Sequence, residues 1–535
     1  MFGLNIYYCM CLNVCEGFGV GEEYFLGGIL IIDFGGQYTH LISRRFRELG
    51  VYTNVISYKS VNESILSKFD ALVLSGSPLS VNKLSDAELD RFRELVFGSG
   101  KPVLGICFGH QLLARLLGGI IEEKREFGRT GIKVVKRDPI FEGWGDFEYV
   151  WMSHNECVTS LPSLGEVLAL SENECIAAFK TLHENNLVYG VQFHPEVKHT
   201  VKGLQLLKNF LNLAGVSRSW SLSNYVEYVT KEMLREVDTN AKALVAVSGG
   251  VDSTVSALIA KKVFKDRLVA VFVNHGFLRE GEVEEVLNNL RNLGIEPLYI
   301  DAGERFMKLL EGVSDCEERR RLIGEEFAKI FKELIENDPE IKYFIQGTTY
   351  PDVIESGAVS GSSKIKTHHN VGGIPTWFNV KILEPLKYLY KDEVRSIGRF
   401  LGLPESLLKR HPFPGPGLAV RIIGALTREK LEIVRKASKI VEDTLREYGL
   451  YDLVWQAFAV VGDDMWVGVK GDERDQGYVL TIRIVESSDG MTADWARIPH
   501  EVLDTMSRRI TSSLSKVTAV TYSITSKPPS TIEPC

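Results

Sequence analysis

Two stretches of this 535-residue chain carry residue types at spacings suited to chemistry. The first is Lys101–Leu113, K-P-V-L-G-I-C-F-G-H-Q-L-L. An apolar run ends at Cys107 and a helical pattern starts just after it. This is the strand–turn–helix setting of a nucleophile elbow, with sulfur in place of oxygen. A helix N-terminus favours thiolate, and Gly105 and Gly109 permit a tight turn. The backbone N–H of Phe108 then points to where an oxyanion would form. Downstream, Tyr189–Val197 reads Y-G-V-Q-F-H-P-E-V. In an extended segment His194 and Glu196 share one face. Glu196 can therefore hold the tautomer of a His194 imidazole that takes the thiol proton. The second stretch is Val245–Thr254, V-A-V-S-G-G-V-D-S-T. Glycines and hydroxyls between a strand and a helix let backbone N–H groups approach phosphate oxygens. Neither G-x-x-x-x-G-K-[ST] nor G-x-G-x-x-G is present, so this is neither a Walker loop nor a dinucleotide fingerprint.

G-I-C-F-G-H-Q together with Q-F-H-P-E resembles the class I glutamine amidotransferases, over about Ile29–Ala214. The resemblance implies hydrolysis of glutamine through a thioester, with release of ammonia. It also implies an oxyanion hole from the N–H groups of Ser77 and Phe108. Ser75–Pro78 reads S-G-S-P where that family usually has S-G-G-P. If the position needs positive φ, Ser77 is strained. S-G-G-V-D-S resembles the PP-loop of the N-type ATP pyrophosphatases. The resemblance implies that Ser248, Gly249, Gly250, Val251, Asp252, Ser253 and Thr254 hold the β,γ-pyrophosphate of ATP while the α-phosphorus is attacked. Mg²⁺ is expected with the polyphosphate, and Asp252 is its nearest candidate ligand. Related proteins often have aspartate where Asn274 stands, and that position stays unassigned.

Four further motifs resemble the glutamine-hydrolysing GMP synthetase family. They are Gln346–Ser356 (Q-G-T-T-Y-P-D-V-I-E-S), Lys364–Gly373 (K-I-K-T-H-H-N-V-G-G), His411–Leu418 (H-P-F-P-G-P-G-L) and Lys527–Glu533 (K-P-P-S-T-I-E). The resemblance implies that XMP O2 is adenylated by ATP and that ammonia then displaces AMP at C2. It assigns Arg320, Lys527, Ile532 and Glu533 to XMP and Lys366 to the lid. Lys366 reads equally as a solvated loop lysine. A solvated helix face is the plain reading of Arg320, and of its neighbours Arg319 and Arg321. That family ends its tail in an aromatic and an acid, whereas this chain reads Pro534–Cys535. Two other readings stay open. One is a different PP-loop enzyme, tRNA-thiolating or NAD-forming. The other is a nucleotide-binding regulator with inactive sites.

The elements that must position these residues read as α/β. Short apolar strands alternate with helices, which means mostly parallel sheets covered on both faces. The expectation is two doubly wound, mostly parallel-sheet domains plus a smaller C-terminal α/β domain. Residues 1–28 read as an extension without stable structure, 29–215 as the amidotransferase domain and 217–411 as the pyrophosphatase domain. Residues 412–535 read as the XMP-binding domain, which the resemblance makes a dimerisation domain, hence a homodimer. Ser217–Trp220 reads as a linker, Ser356–Pro375 as a lid loop, and His411–Leu418 as a rigid boundary loop that proline bars from helix or central strand. A formal charge of −8 argues against broad nucleic-acid binding. No apolar run is long enough to span a membrane, and the first 28 residues hold no Lys or Arg, unlike a secretory signal. The cluster Cys9, Cys11, Cys15 matches no common zinc spacing. Scattered Cys107, Cys157, Cys175 and Cys316 are expected to stay reduced in a cytoplasm.

Overall fold

The computed structural model describes residues 27–183, 186–350, 380–470, 472–487 and 492–535. The Cys9–Cys15 cluster, the lid loop and Lys366 lie outside the described residues. Among the described residues the chain forms two compact units that divide between Tyr228 and Val229.

The first unit is built on a nine-stranded sheet. Its strands are β1 (Ile29–Asp33), β2 (Thr53–Ser57), β3 (Ala71–Leu74), β4 (Val103–Ile106), β6 (Glu126–Val134), β7 (Phe147–His154), β9 (Glu166–Ser171), β10 (Ile176–His183) and β11 (Asn186–Val191). Short β5 (Ile120–Glu122) and β8 (Cys157–Ser160) pair separately. The order is β2-β1-β3-β4-β11-β10-β9-β6-β7. From β2 to β11 every pairing is parallel. From β11 to β7 every pairing is antiparallel. The parallel half holds the chemistry-bearing strand tips. Its central strands β3 and β4 are buried on both faces, which is why they read as unbroken apolar runs without alternation. Ser217–Trp220 has no regular structure and belongs to the first unit, where Trp220 is anchored. Its N–H donates to Gly50 O at 3.0 Å, and the Arg47 guanidinium lies 5.0 Å from its ring centroid.

The second unit opens with a five-stranded parallel sheet. Its strands are β12 (Lys242–Ala246), β13 (Leu268–Asn274), β14 (Leu298–Asp301), β15 (Ile341–Ile345) and β16 (Lys381–Leu383), in the order β14-β13-β12-β15-β16. The order reverses between β12 and β15, and ligands of open α/β sheets bind beyond the carboxyl ends of strands at such a switch point. A smaller sheet follows, with β17 (Gln456–Lys470), β18 (Glu473–Glu486), β19 (Asp494–Trp495) and β20 (Val517–Tyr522) around β18. Helices Arg428–Glu447 and His500–Ser513 bury their apolar faces with this sheet. One core runs from Leu244, Phe277 and Phe306 through Leu418 to Val434, Ile482 and Met506, so the two sheets share their buried interior. His411–Pro416 is neither helix nor strand, as its prolines require, and Gly417–Arg421 is a 3₁₀ turn. The His411 ring stacks on Tyr451 with centroids 3.8 Å apart.

The cysteines correct an expectation. Cys157 is bonded to Cys175, and Cys316 to Cys535, leaving Cys107 as the free thiol among the described residues. Pairs 18 and 219 residues apart meet only because the tertiary fold brings them together. Spacing in the sequence does not reveal such pairing.

Candidate active sites

In the first unit, β4 ends at Ile106, Cys107 caps the helix Phe108–Leu116, and the side chain of Cys107 is buried. Cys107 has φ 55°. A non-glycine residue held there stores roughly 1–3 kcal/mol of strain, a cost found mainly at functional sites. Gly105 and Gly109 serve differently from the tight turn that their positions predict, for neither has positive φ. A Cβ on Gly105 would come 2.5 Å from Gly109 O, and one on Gly109 would come 2.4 Å from Leu74 O. They are small because strand and helix approach closely there. Ser77 likewise lies outside the left-handed region, so it carries no φ strain. Its hydroxyl donates to Phe34 O at 2.8 Å and accepts from Leu79 N–H at 3.0 Å, which closes a tight turn.

His194 lies just beyond β11, and its N–H donates to Trp151 O at 3.0 Å. Its Nδ1 is 2.7 Å from Glu196 Oε1, and both side chains are buried. Burial opposes a charged imidazole, but the Glu196 carboxylate and then the Cys107 sulfur outweigh it. They lift the His194 pKa well above the usual imidazole range. Arg45 Nε donates to Glu196 O at 2.8 Å, and Thr200 Oγ1 to His194 O at 2.7 Å, so side chains from elsewhere fix this turn. Gly76 carries no motif signal beyond its neighbours. A Cβ there would lie 3.6 Å from His194 Cε1 and 3.9 Å from Cys107 Cβ. It leaves open the space against sulfur and imidazole that a carboxamide needs. The arrangement is a buried thiol, an imidazole and an orienting carboxylate, the parts of an acyl-transfer site.

In the second unit, S-G-G-V-D-S-T follows β12 at the sheet's switch point. The helix begins at Val251, so Asp252, Ser253 and Thr254 occupy its first turn, where N–H groups lack intrahelical acceptors. Gly249 has φ +78°, and a Cβ there would meet Val286 Cγ2 at 2.3 Å, so only glycine fits. The loop is internally braced. Ser253 Oγ accepts from Ser248 N–H at 3.1 Å, and Thr254 Oγ1 donates to Gly250 O at 2.7 Å. Ser248 and Gly250 remain exposed to an incoming phosphate. Gly347, after β15, would put a Cβ 3.3 Å from Ser253 N, so the Q-G-T-T stretch runs beside the loop. Among the described residues no cluster of three or more acidic, His or Cys side chains could hold a metal. A lone carboxylate at a phosphate-binding turn suits Mg²⁺, which takes one or two carboxylates and otherwise phosphate oxygens and water. Asn274 closes a turn by accepting from Gly276 N–H at 3.0 Å, and its Nδ2 lies 3.4 Å from Asp301 Oδ1. An aspartate there would face Asp301 with like charge.

The residues assigned to XMP are drawn partly together. Arg320 donates to Cys535 O at 2.5 Å. Glu533 is gripped by Arg421, with Nε and Nη2 at 3.1 and 3.0 Å, and by Gln456 Nε2 at 2.6 Å. Arg483 donates to Thr531 O at 2.9 Å and Thr525 O at 2.7 Å. The Lys527 backbone pairs with Ala493. Arg421, Gln456 and Arg483 escaped the sequence reading because nothing local marks them. Arg421 is almost fully buried, between Phe413 and Phe458 at 5.0 and 4.1 Å from their centroids. Arg319 corrects another expectation. It faces inward with no exposed surface, and bonds to the carbonyls of Val313, Ser314, Ala419, Ile422 and Gly424. Arg321 is a solvated helix-face residue, as its sequence context indicates, paired with Glu318 and Glu325.

Comparisons with known proteins follow the same division. The class-I glutamine amidotransferase family matches residues 30–214, and the NAD synthase family matches residues 222–329. The GMP synthase C-terminal domain matches residues 443–534. The glutamine-hydrolyzing GMP synthase of Pyrobaculum aerophilum is 54% identical over 510 residues, covering 95% of this chain and 99% of that protein. The enzyme of the same name from Petrotoga mobilis is 46% identical, covering 94% and 99%. That of Aeropyrum pernix is 48% identical, covering 95% and 98%. The NAD synthase match spans only the pyrophosphatase part, whereas these relatives run through both sites and the tail. This chain belongs to the glutamine-hydrolysing GMP synthase family.

Proposed function

We propose that this chain aminates XMP to GMP at the expense of ATP, taking nitrogen from glutamine. XMP, ATP, glutamine and water give GMP, AMP, pyrophosphate and glutamate. The observation that carries this reading is one chain with two chemically distinct sites, aligned end to end with glutamine-hydrolysing GMP synthases.

Glutamine is hydrolysed at Cys107. The sulfur attacks the carboxamide carbon, and the proton carried by His194 passes to the departing ammonia. A thioester remains. Water, deprotonated by His194, releases glutamate. Glu196 holds the ring at Nδ1, and its carboxylate steadies the imidazolium on each pass. The N–H groups of Ser77 and Phe108 take the oxyanion.

At the second site Ser248–Thr254 hold the pyrophosphate moiety of ATP. XMP O2 attacks the α-phosphorus, and the oxygen becomes part of a good leaving group. Ammonia then adds at C2 and AMP departs. Asp252 would hold Mg²⁺ together with phosphate oxygens of ATP, and the ion would supply charge neutralisation at the polyphosphate. Arg320, Lys527, Ile532 and Glu533 serve XMP, and Lys366 serves the lid. Several observations support the remaining assignments. Met465, Trp466, Val467 and Val469 of β17 are exposed, an apolar stretch that a second copy would cover in a homodimer. Among the described residues no helix is long and apolar enough to cross a membrane, and the substrates are soluble metabolites, which favours the cytoplasm.

The test is GMP formation from XMP, ATP and Mg²⁺ with either glutamine or ammonium. Cys107→Ala is expected to lose glutamine-dependent turnover and keep ammonium-dependent turnover. Loss of both in a folded variant would refute the two-site assignment.

A further inference from the structure

We propose that the Cys316–Cys535 disulfide positions the acceptor-nucleotide site, so that affinity for XMP follows the redox state of this bond. The inference rests on the reading of Arg320 and residues 527–533 given above.

Residues 523–535 form no helix and no ladder beyond the Ala493–Lys527 bridge. Such a segment keeps one conformation through its side-chain partners and a few backbone bonds, among them Ser523 N–H to Ile482 O at 3.0 Å. Beside Gln456 on Glu533 and Asp494 on Ser526, three places supply partners. Arg483 of β18 holds the carbonyls of Thr525 and Thr531. Arg421, at the end of the 3₁₀ turn Gly417–Arg421, holds the Glu533 carboxylate. The start of the helix Cys316–Asn337 holds Cys535 twice, through the sulfur of Cys316 and through Arg320. Cys316 and Arg320 stand four residues apart and so share one helix face. Arg319, between them, ties the same turn to the carbonyls of Ala419, Ile422 and Gly424. Helix start, 3₁₀ turn and tail thus form a closed circuit, and the disulfide is its covalent link. Arg320 belongs to one side of the XMP site, and Ile532 and Glu533 to the other. The bond fixes the spacing between them.

The two disulfides differ in access. Cys157 and Cys175 have no exposed surface, whereas Cys316 and Cys535 are both partly exposed. A dithiol reductant therefore reaches the second bond first. Its thiolate attacks one sulfur, a mixed disulfide forms, and the second thiol closes the reductant into a cyclic disulfide. Two electrons and two protons pass to the protein, and Cys316 and Cys535 are left as thiols. The tail then samples other positions. If its competent fraction falls to about one fifth, apparent XMP affinity falls about fivefold.

The experiment measures ammonium-dependent GMP formation, which bypasses Cys107, with and without dithiothreitol. In the wild type, reduction is expected to raise the KM for XMP about fivefold, with kcat and the KM for ATP unchanged. Cys535→Ser should show the raised KM without reductant and no further response to it. Cys316→Ser breaks the same bond from the other end, for use if the tail variant does not fold. By reciprocity XMP should slow reduction of the bond. An active wild type whose XMP KM is the same oxidised and reduced overturns the inference. So does a Cys535→Ser enzyme that still responds to dithiothreitol, since the response would then arise elsewhere. Absence of GMP formation in the oxidised wild type would instead defeat the functional reading beneath it.

Discussion

Replacing Glu196 by glutamine tests the glutaminase assignment at its electrostatic centre. Glu196 is fully buried, with Oε1 2.7 Å from His194 Nδ1. The amide keeps an acceptor of the same shape for Nδ1–H, so the ring keeps its place. What disappears is the charge that steadies the imidazolium. At an effective dielectric of about 20 and a charge separation of about 4 Å, such a pair is worth about 4 kcal/mol. At 1.36 kcal/mol per decade the glutaminase rate should fall about a thousandfold. The assay is glutamate release, with ammonium-dependent GMP formation as the internal control, expected to stay within about twofold because the second site is separate. The same pair gives a stability signature. Glu196 and Cys107 raise the His194 pKa in the folded protein despite burial. Its contribution is therefore fully present below the unfolded imidazole value and is lost as pH rises through the folded one. Glu196→Gln should flatten the alkaline fall in stability. A glutaminase loss smaller than about tenfold would refute the reasoning, for a buried ion pair should cost more. An equal loss of ammonium-dependent activity would refute it too.

Other perturbations separate the remaining roles. Gly249→Ala puts a Cβ on a residue at φ +78° and against Val286, so ATP-dependent turnover should fall at least about tenfold while glutamine hydrolysis without nucleotide is retained. Unchanged ATP kinetics would remove Gly249 from the phosphate loop. Arg319→Ala strips donors from buried carbonyls and should destabilise the second unit by at least about 3 kcal/mol, read by urea unfolding. Arg321→Ala, on the solvated face, should leave the unfolding midpoint in place. His275 is buried beside Phe277, Phe306 and Phe327, and burial and then the Arg435 charge push its pKa down to about 4. The unfolded chain binds that proton more readily, so stability falls as pH drops from about 6.5 towards 4, by about 3 kcal/mol in all. His275→Phe should lose this acid dependence in urea titrations at pH 7 and 4.5.

Both sites were legible because their chemistry is local in sequence. A nucleophile elbow needs small residues on each side of Cys107, and a phosphate loop needs consecutive glycines and hydroxyls at a helix start. The backbone imposes those spacings, so they appear as contiguous motifs. His194 and Glu196 lie far from Cys107 in sequence, but their own two-residue spacing sets their shared face. The apolar runs of β3, β4 and β12 were legible for the same reason, since a strand buried on both faces admits little else.

The sequence by itself determined the α/β class, the two chemistries and the family. It could not determine which long-range partners complete each site. Arg319 and Arg321 stand two residues apart with the same side chain, yet one is buried against five carbonyls and the other lies in water. Helical periodicity gives their separation around the axis, but only packing decides which side faces inward. The glycines of the elbow were read as turn formers, and the structure uses them for close approach. The cysteines were read as reduced thiols, and two pairs are joined. For Arg319, for Gly109 against Leu74 and for the cystines, the deciding quantity is a distance between residues remote in sequence, and that distance is set by how sheets and helices pack.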